Sequence, residues 1–217
     1  MVPSLAGCKL SLSIHGRTVN LNLPLVGEFN VQNACIAAGM ALLSGLSTEA
    51  VINALETVES APGRLEIVPG KRNVLVDYAH TPDALDNVLR SLAALNPERI
   101  ICVFGAGGDR DPGKRPEMGS VVKRYADVIV VTSDNPRTED AASIRASIIS
   151  ACPNAIEIAS RDKAIAAALA SVRSGDVLLI AGKGHETVQL VGNESLPFDD
   201  AAIASHLMLQ MQKETVQ

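Results

Sequence analysis

From residue 65 onward, short apolar runs rich in β-branched residues alternate with segments of helical periodicity, and few folds accommodate that alternation. Strands are predicted at VLVDY (74–78), IICVF (100–104), DVIVVT (127–132), AIEIA (155–159) and DVLLIAG (176–182). Helices are predicted at about 82–94, 115–124, 139–150, 161–173 and 199–212. Because the strands are apolar almost without interruption, both faces of their sheet must be covered. The expected fold class is therefore α/β, a mainly parallel sheet with helices on both faces. Thr81 reads as an N-cap followed by Pro82 at the first helical position. Ser160 reads as the cap of a helix that Gly175 terminates.

Residues 9–23, KLSLSIHGRTVNLNL, instead alternate at period two around His15-Gly16, which predicts a hairpin with Gly16 in the turn and His15 at its tip. A helical stretch follows and ends near Gly45, with a second short helix at about 47–58. ESAPGR (59–64) is the best linker in the chain. The reading is two parts, 1–62 and 63–217.

Composition narrows the function. The formal net charge of −5 comes with no basic stripe to neutralise phosphates, which argues against nucleic acid. Cys8, Cys35, Cys102 and Cys152 are scattered without metal-ligand spacing, so reduced thiols in or near the core are expected. No apolar segment approaches the roughly 20 residues of a membrane span. The expectation is a soluble cytoplasmic protein without membrane partners.

In open α/β sheets, ligands bind beyond the carboxyl ends of the strands. The loops there are DYAHTPD, GAGGDRDPGKR, DNPRTE and AGKGHE, each rich in glycine or charge. Parallel topology brings all four to one edge. Arg110, Arg115 and Arg137 supply planar forks for carboxylates or phosphates. Asp77, Asp109, Asp134 and Glu186 supply acceptors for an ammonium or hydroxyl, and His80 and His185 can hydrogen-bond or relay protons. The set suits a zwitterion with more than one carboxylate. The bland readings remain beside it: GAGGDR as a mere glycine turn, Asp109 and Arg110 as a surface pair, and His206 as surface or core filler. AGKGHE does not have the spacing of a phosphate-binding P-loop. Arg137 stands at a strand-to-helix corner, where a cation opposes the helix dipole, and this favours a ligand there.

Six segments in series, GEFNVQNACIAAG, APGRLEIV, VDYAHTPDAL, FGAGGDRDPGKRPEMG, TSDNPRTED and AGKGHETVQ, resemble the motifs of the Mur ligase family. Within it they are most similar to the branch that adds the third peptide residue to peptidoglycan precursors. The resemblance runs from about residue 20 to the C-terminus. It implies that 1–62 is the tail of a central ATPase domain and that 63–217 is a Rossmann-like amino-acid-binding domain. It also implies ATP and Mg2+ as cofactors, and meso-diaminopimelate and UDP-MurNAc-L-Ala-D-Glu as partners. In such ligases ATP phosphorylates the D-glutamate γ-carboxylate, the incoming amine attacks the acyl phosphate, and phosphate leaves. The family's P-loop is not found in this sequence, so the chain alone is not expected to turn over ATP.

The same resemblance implies residue roles. The D-N-P-R version of the motif goes with meso-diaminopimelate, whose second carboxylate Arg137 would clamp. Arg110 would hold a carboxylate, Asp134, Asn135 and Pro136 would share the recognition turn, Gly182 would give backbone contact, and Glu186 would receive an ammonium. Asn33, Arg64, Asp77 and His80 would face ATP. Two alternatives stay open: a ligase for another amino acid, and a free-standing diaminopimelate-binding or regulatory module without turnover.

Overall fold

The computed structural model describes residues 1–14, 16–70 and 73–215. Contacts divide the chain into two units, Met1–Ala61 and Pro62–Gln217. In the first, the period-two alternation of residues 9–23 becomes antiparallel pairing. Strands β1 (Val2–Ser4), β2 (Gly7–Ile14) and β3 (Arg17–Leu23) form a sheet in the order β1-β2-β3. Register places Cys8 opposite Leu23 and Leu10 opposite Leu21, so these four side chains share the buried face. Gly16 takes a φ of +76° in the turn; His15, the expected turn tip, lies outside the described residues. Strand β1 was not legible beforehand, being three residues long with Pro3 on a sheet edge.

Two helices cover the buried face, α1 (Glu28–Leu43) and α2 (Thr48–Thr57), packing Ala34, Ala38, Val51 and Leu55 onto it. Gly45 ends α1 as its sequence implied: its N–H bonds to Leu42 O at 3.0 Å and that of Leu46 to Ala41 O at 3.1 Å. The other side of α1 exposes Cys35, Ile36, Met40 and Leu43. Cys35 thus departs from the expectation of thiols in or near the core, whereas Cys8, Cys102 and Cys152 are buried. Burial pushes the Cys102 thiol pKa far up.

The second unit runs β4 (Glu66–Ile67), β5 (Val74–Asp77), α3 (Pro82–Ala93), β6 (Ile100–Phe104), α4 (Lys114–Tyr125), β7 (Val128–Val131), α5 (Ala141–Ile149), β8 (Ile156–Glu157), α6 (Arg161–Ser171), β9 (Val177–Ala181), β10 (Val188–Val191), β11 (Glu194–Pro197) and α7 (Asp200–Thr215). A six-stranded sheet has the order β4-β5-β9-β6-β7-β8, parallel except for β4 at its edge. Residues pointing one way, among them Val74, Val76, Ile101, Val103, Leu178 and Ile180, pack with Ala164, Ile165 and Leu169 of α6 and Ala204 and Met208 of α7. Alternation turns Leu75, Cys102, Phe104 and Leu179 the other way. There α3 packs against α4, and α4 against α5. No described helix is long and apolar enough to cross a membrane.

The strand order positions the site. From β6 the chain leaves toward the α3–α5 face, and from the adjacent β9 it leads to α7 on the opposite face. Loops that diverge from neighbouring parallel strands open a crevice between them.

Two terminal signals need correction. Thr81 caps α3 through Ala84 N at 3.3 Å as expected, but Ser160 makes no capping bond to α6. Its hydroxyl donates to the Asp162 carboxylate, a stronger acceptor within reach. Gly175 does not end α6 either, since the helix stops at Ser171 and Val172 is extended. Gly175 (φ +86°) serves the next turn, where Asp176 N meets Arg173 O at 3.3 Å before β9 begins.

A buried ion pair joins the N-termini of α6 and α7. Arg161 donates from Nε and Nη2 to the two Asp200 oxygens at 2.8 and 2.7 Å, and Nη2 also reaches Ala181 O at 3.0 Å. Both side chains are fully enclosed. Removing one partner would strand the other charge, so Arg161→Met is expected to cost about 3–5 kcal/mol in chemical denaturation. The double variant Arg161→Met/Asp200→Leu should recover most of that loss, and equal destabilisation of single and double variants would contradict this account.

Candidate functional site

The four loops anticipated at one edge do meet there. They enclose a cleft of about 340 Å³ lined by Tyr78 and His80 after β5, Ala106, Gly107 and Arg110 after β6, Asp134, Asn135 and Arg137 after β7, and Gly182 and Glu186 after β9. The first turn of α4 adds Lys114 and Arg115.

The β7 turn is clasped by the glycine-rich β6 loop. Gly108 N donates to Asn135 O at 2.9 Å. A Cβ at Gly108 would lie 1.9 Å from Pro136 O, and one at Gly107 would lie 2.8 Å from Arg137 Nη1. These glycines therefore have a packing reason, the close approach of two backbones. Pro136 belongs to this clasp rather than to the cleft wall: its carbonyl accepts from Glu139 N at 3.1 Å.

Arg137 is one of four non-glycine residues with positive φ among those described, at +51°. Its Nη1 donates to Gly108 O at 2.7 Å, with Asn135 O farther at 3.5 Å. Nε and Nη2 make no hydrogen bond among the described residues, so one arm of the fork is anchored and the rest is available. Arg115 differs. Its Nη2 lies 2.8 Å from both Glu139 oxygens, which holds the Glu139 carboxyl below its ordinary value. The Arg115 charge is thus balanced within the protein. Arg110 is exposed, and its one hydrogen bond from the side chain among the described residues is to Asp109 O, at 3.2 Å. Asp109 directs its carboxylate to Thr138, with Oδ1 2.7 Å from Oγ1, so the Asp109–Arg110 surface pair, the bland alternative, does not form.

The acidic groups also separate by role. Glu186 Oε2 accepts from Asn135 Nδ2 at 2.7 Å and from Lys183 Nζ at 3.1 Å. Burial pushes the Glu186 carboxyl up, but these two bonds and the nearby cations outweigh it and hold the pKa below its ordinary value. The Asn135 oxygen is fully engaged, because Oδ1 also accepts from Lys183 Nζ at 2.9 Å and Leu190 N at 3.0 Å, while Nδ2 makes one bond of two. The side chain builds the wall of the cleft instead of reaching across it. Asp134 is the contrasting case. Oδ1 takes Asn135 N at 2.7 Å, whereas Oδ2 is buried without a hydrogen-bond partner. That oxygen lies 4.0 Å from Arg161 Nη1, which also has none, and 2.7 Å from where a Cβ on Gly182 would stand. A side chain at Gly182 would collide with that oxygen.

Among the residues expected to face a nucleotide, His80 lines the cleft with Nδ1 2.7 Å from Tyr78 O. Arg64 is exposed and lies 5.0 Å from the Tyr78 ring centroid, in cation–π contact, while the His185 ring is 5.1 Å from the same ring. Asp77 is turned inward. Its oxygens accept from Leu65 N and Ala79 N, both at 2.8 Å, and burial raises its pKa despite those bonds. It fixes the start of the β5 loop and does not line the cleft. Asn33 is exposed on α1, in the first unit. His206 is also exposed, with its ring nitrogen 2.9 Å from Gln210. No group of three metal-ligating side chains occurs among the described residues.

Sequence reasoning missed Lys183, Arg161 and Gln189. Lys183 was in view within AGKGHE, yet it was weighed only against a P-loop; its full burial has no signature in composition.

Residues 63–184 match the family described as Mur ligase, glutamate ligase domain. The UDP-N-acetylmuramoyl-L-alanyl-D-glutamate–2,6-diaminopimelate ligase of Agrobacterium fabrum is 48% identical over 197 residues, 88% of this chain and 40% of that protein. The enzyme of the same description from Geobacillus kaustophilus is 48% identical over 186 residues, 83% of this chain and 38% of that protein. A solved structure of a UDP-N-acetylmuramoyl-L-alanyl-D-glutamate–2,6-diaminopimelate ligase superposes with a TM-score of 0.75 at 35% identity, covering 97% of this chain and 44% of that one. A Mycobacterium tuberculosis folylpolyglutamate synthase complexed with ADP and AMPPCP shares the fold at 21% identity, with a TM-score of 0.66 over 95% of this chain and 46% of that one. The chain spans about two fifths of the length of these curated relatives.

The Glu186 network sets a pH dependence. A carboxyl whose folded pKa is depressed contributes stability that is present above its unfolded value and is lost as pH falls through the folded one. The ordinary value is 4.5, so this contribution should disappear below that pH. Carboxyl-carbon NMR should show Glu186 titrating below 4.5, and Glu186→Gln should flatten the acid limb of the stability profile. A midpoint above 4.5 would contradict the network described.

Proposed function

This chain belongs to the Mur ligase family, and from that premise we propose that it is the amino-acid-binding portion of an ATP-dependent, cytoplasmic ligase that joins meso-diaminopimelate to UDP-MurNAc-L-Ala-D-Glu in peptidoglycan synthesis. On this reading residues 1–62 close a central ATPase domain and 63–217 form the amino-acid domain. The supporting observation is the pairing in one cleft of a half-anchored Arg137 with the unengaged Oδ2 of Asp134. A guanidinium whose Nε and Nη2 are available offers a planar fork to a carboxylate. A buried carboxylate oxygen without a donor calls for one, which an ammonium supplies. Meso-diaminopimelate carries both groups at each end.

In this assignment Arg137 takes the distal carboxylate and Arg110 a second one. Asp134 receives the distal ammonium, with Gly182 carrying no side chain to collide with its carboxylate and Glu186 in the same cleft lining. Holding that end fixes where the other amine lies, which converts an encounter into an oriented attack. The attacking amine must be neutral; it loses a proton as the amide forms and phosphate leaves the acyl phosphate. Lysine has no distal carboxylate and would leave Arg137 unpaired beside it, so one residue both attracts and rejects.

ATP, when bound, supplies the phosphoryl group that activates the D-glutamate carboxylate. Arg64 and His80 are suited to a polyanion beside Tyr78, whereas Asp77, with both oxygens held by backbone amides, is not available to it. No cluster of three His, Cys, Asp or Glu side chains among the described residues is placed to hold magnesium.

The test is an NMR amide-shift titration with meso-diaminopimelate and, separately, L-lysine. Saturable shifts at Arg110, Asp134 and Arg137 with diaminopimelate alone are expected. Arg137→Ala should weaken diaminopimelate by about ten- to a hundredfold, the worth of a charge-assisted hydrogen bond, and should strengthen the response to lysine by removing the unpaired cation. An equal response of the unaltered chain to both ligands would remove Arg137 from this role.

A further inference from the structure

Strands β10 and β11 form a two-stranded hairpin separate from the main sheet. It exposes Val188, Val191 and Leu196, and isolated hairpins of this size have little stability of their own. Its hydrogen-bonding groups turn instead to the β7 turn. Arg137 N donates to Leu190 O at 3.1 Å, and Gly192 N donates to Arg137 O at 2.7 Å. Leu190 N donates to Asn135 Oδ1 at 3.0 Å, and Gln189 Nε2 to Asp134 O at 2.6 Å. Arg137 therefore bridges to Val191 in parallel fashion, with both of its main-chain polar groups held by the hairpin.

That capture falls on a residue at φ +51°, a conformation unfavourable for a side chain such as arginine. Left to itself the residue would relax toward negative φ, swinging its Cα–Cβ direction and breaking the bond from Nη1 to Gly108 O. A conformation of this kind persists when its surroundings over-determine it. The hairpin supplies that determination from outside the cleft, since none of residues 188–197 lines it.

We propose that the β10–β11 hairpin is a specificity brace, which fixes the backbone of Arg137 in the left-handed conformation and so sets the preference for a ligand bearing a distal carboxylate. The brace touches no ligand; Gln189 and Gly192 are positioning residues. The second half of this inference rests on the reading of Arg137 as a carboxylate clamp, and the first half does not.

Gly192, in the hairpin turn at φ +58°, gives a clean variant. A Cβ there meets nothing within 4 Å, so a substitution opposes only the backbone conformation. In Gly192→Val, the Arg137 amide should exchange with solvent about tenfold faster and diaminopimelate should bind about tenfold more weakly, with lysine unchanged. Gly192→Asn, which tolerates positive φ, should behave like the parent chain. Gln189→Leu keeps the hairpin turn intact, removes one of the four bonds, and should shift both readouts in the same direction.

Unchanged Arg137 exchange in both Gly192→Val and Gln189→Leu would overturn the proposal. So would equal weakening of both ligands, which would mark the hairpin as general scaffolding. If the parent chain binds diaminopimelate and lysine alike, the clamp reading fails, and Arg137 exchange still decides whether the hairpin fixes the turn.

Discussion

One buried ammonium organises this edge of the sheet. Lys183 Nζ, fully enclosed, donates to Asn135 Oδ1 at 2.9 Å, Glu186 Oε2 at 3.1 Å and Val188 O at 2.6 Å. A lysine has three donors and no acceptor, and here all three are satisfied. Removing an ammonium from water is costly unless it is paired and hydrogen-bonded, so the three acceptors cannot drift apart without exposing that cost. They belong to the β7 turn, the β9 loop and the start of β10. The position of Asn135 determines where Asp134 and Arg137 stand on either side of it. The cleft geometry thus follows from a residue that does not line it.

The charges around the cleft fall into two classes. Arg115 with Glu139, Lys183 with Glu186, and Arg161 with Asp200 are balanced within the protein. Arg110 and part of Arg137 are not, and one oxygen of Asp134 has no hydrogen bond and only the Arg161 guanidinium 4.0 Å away. Internal pairs hold the cleft in shape at low reorganisation cost, while the remaining lining charges, the cations Arg110, Lys114 and Arg137 and the anions Asp111 and Asp134, present a mixed pattern. That pattern complements a zwitterion with two carboxylates better than it complements a simple anion. Counting charged residues in the sequence does not separate the classes, because pairing is a property of the fold.

What was legible beforehand follows physical periodicity. The buried parallel strands announced themselves as unbroken apolar runs, and Thr81-Pro82 marked a helix start through local chemistry alone. The β10–β11 hairpin carried a much weaker pattern, since it has no buried face to impose alternation: all four residues of β11 are exposed. Ser160 misled because its hydroxyl had a choice of partner, and Gly175 because a positive-φ glycine fits a strand entry as well as a helix end. Among site residues, the edge of the sheet was foreseeable from topology, but the directions of the side chains were not. Asp77 and Asn135 looked like ligands in a string of letters. Backbone amides from Leu65 and Ala79 take the first, and Lys183, Glu186 and Leu190 take the second.

The left-handed backbone at Arg137 has a consequence for how such a cleft could change over generations. Because main-chain bonds hold the turn, the side chain there could be exchanged without dismantling its surroundings. Yet a φ of +51° is ill suited to β-branched residues and favours glycine, asparagine or aspartate. The short, uncharged substitutes among these would erase the guanidinium without straining the chain, and an acidic one would reverse the local charge. Divergence in ligand choice at this position is therefore channelled toward a small alphabet by backbone geometry before any ligand exerts selection.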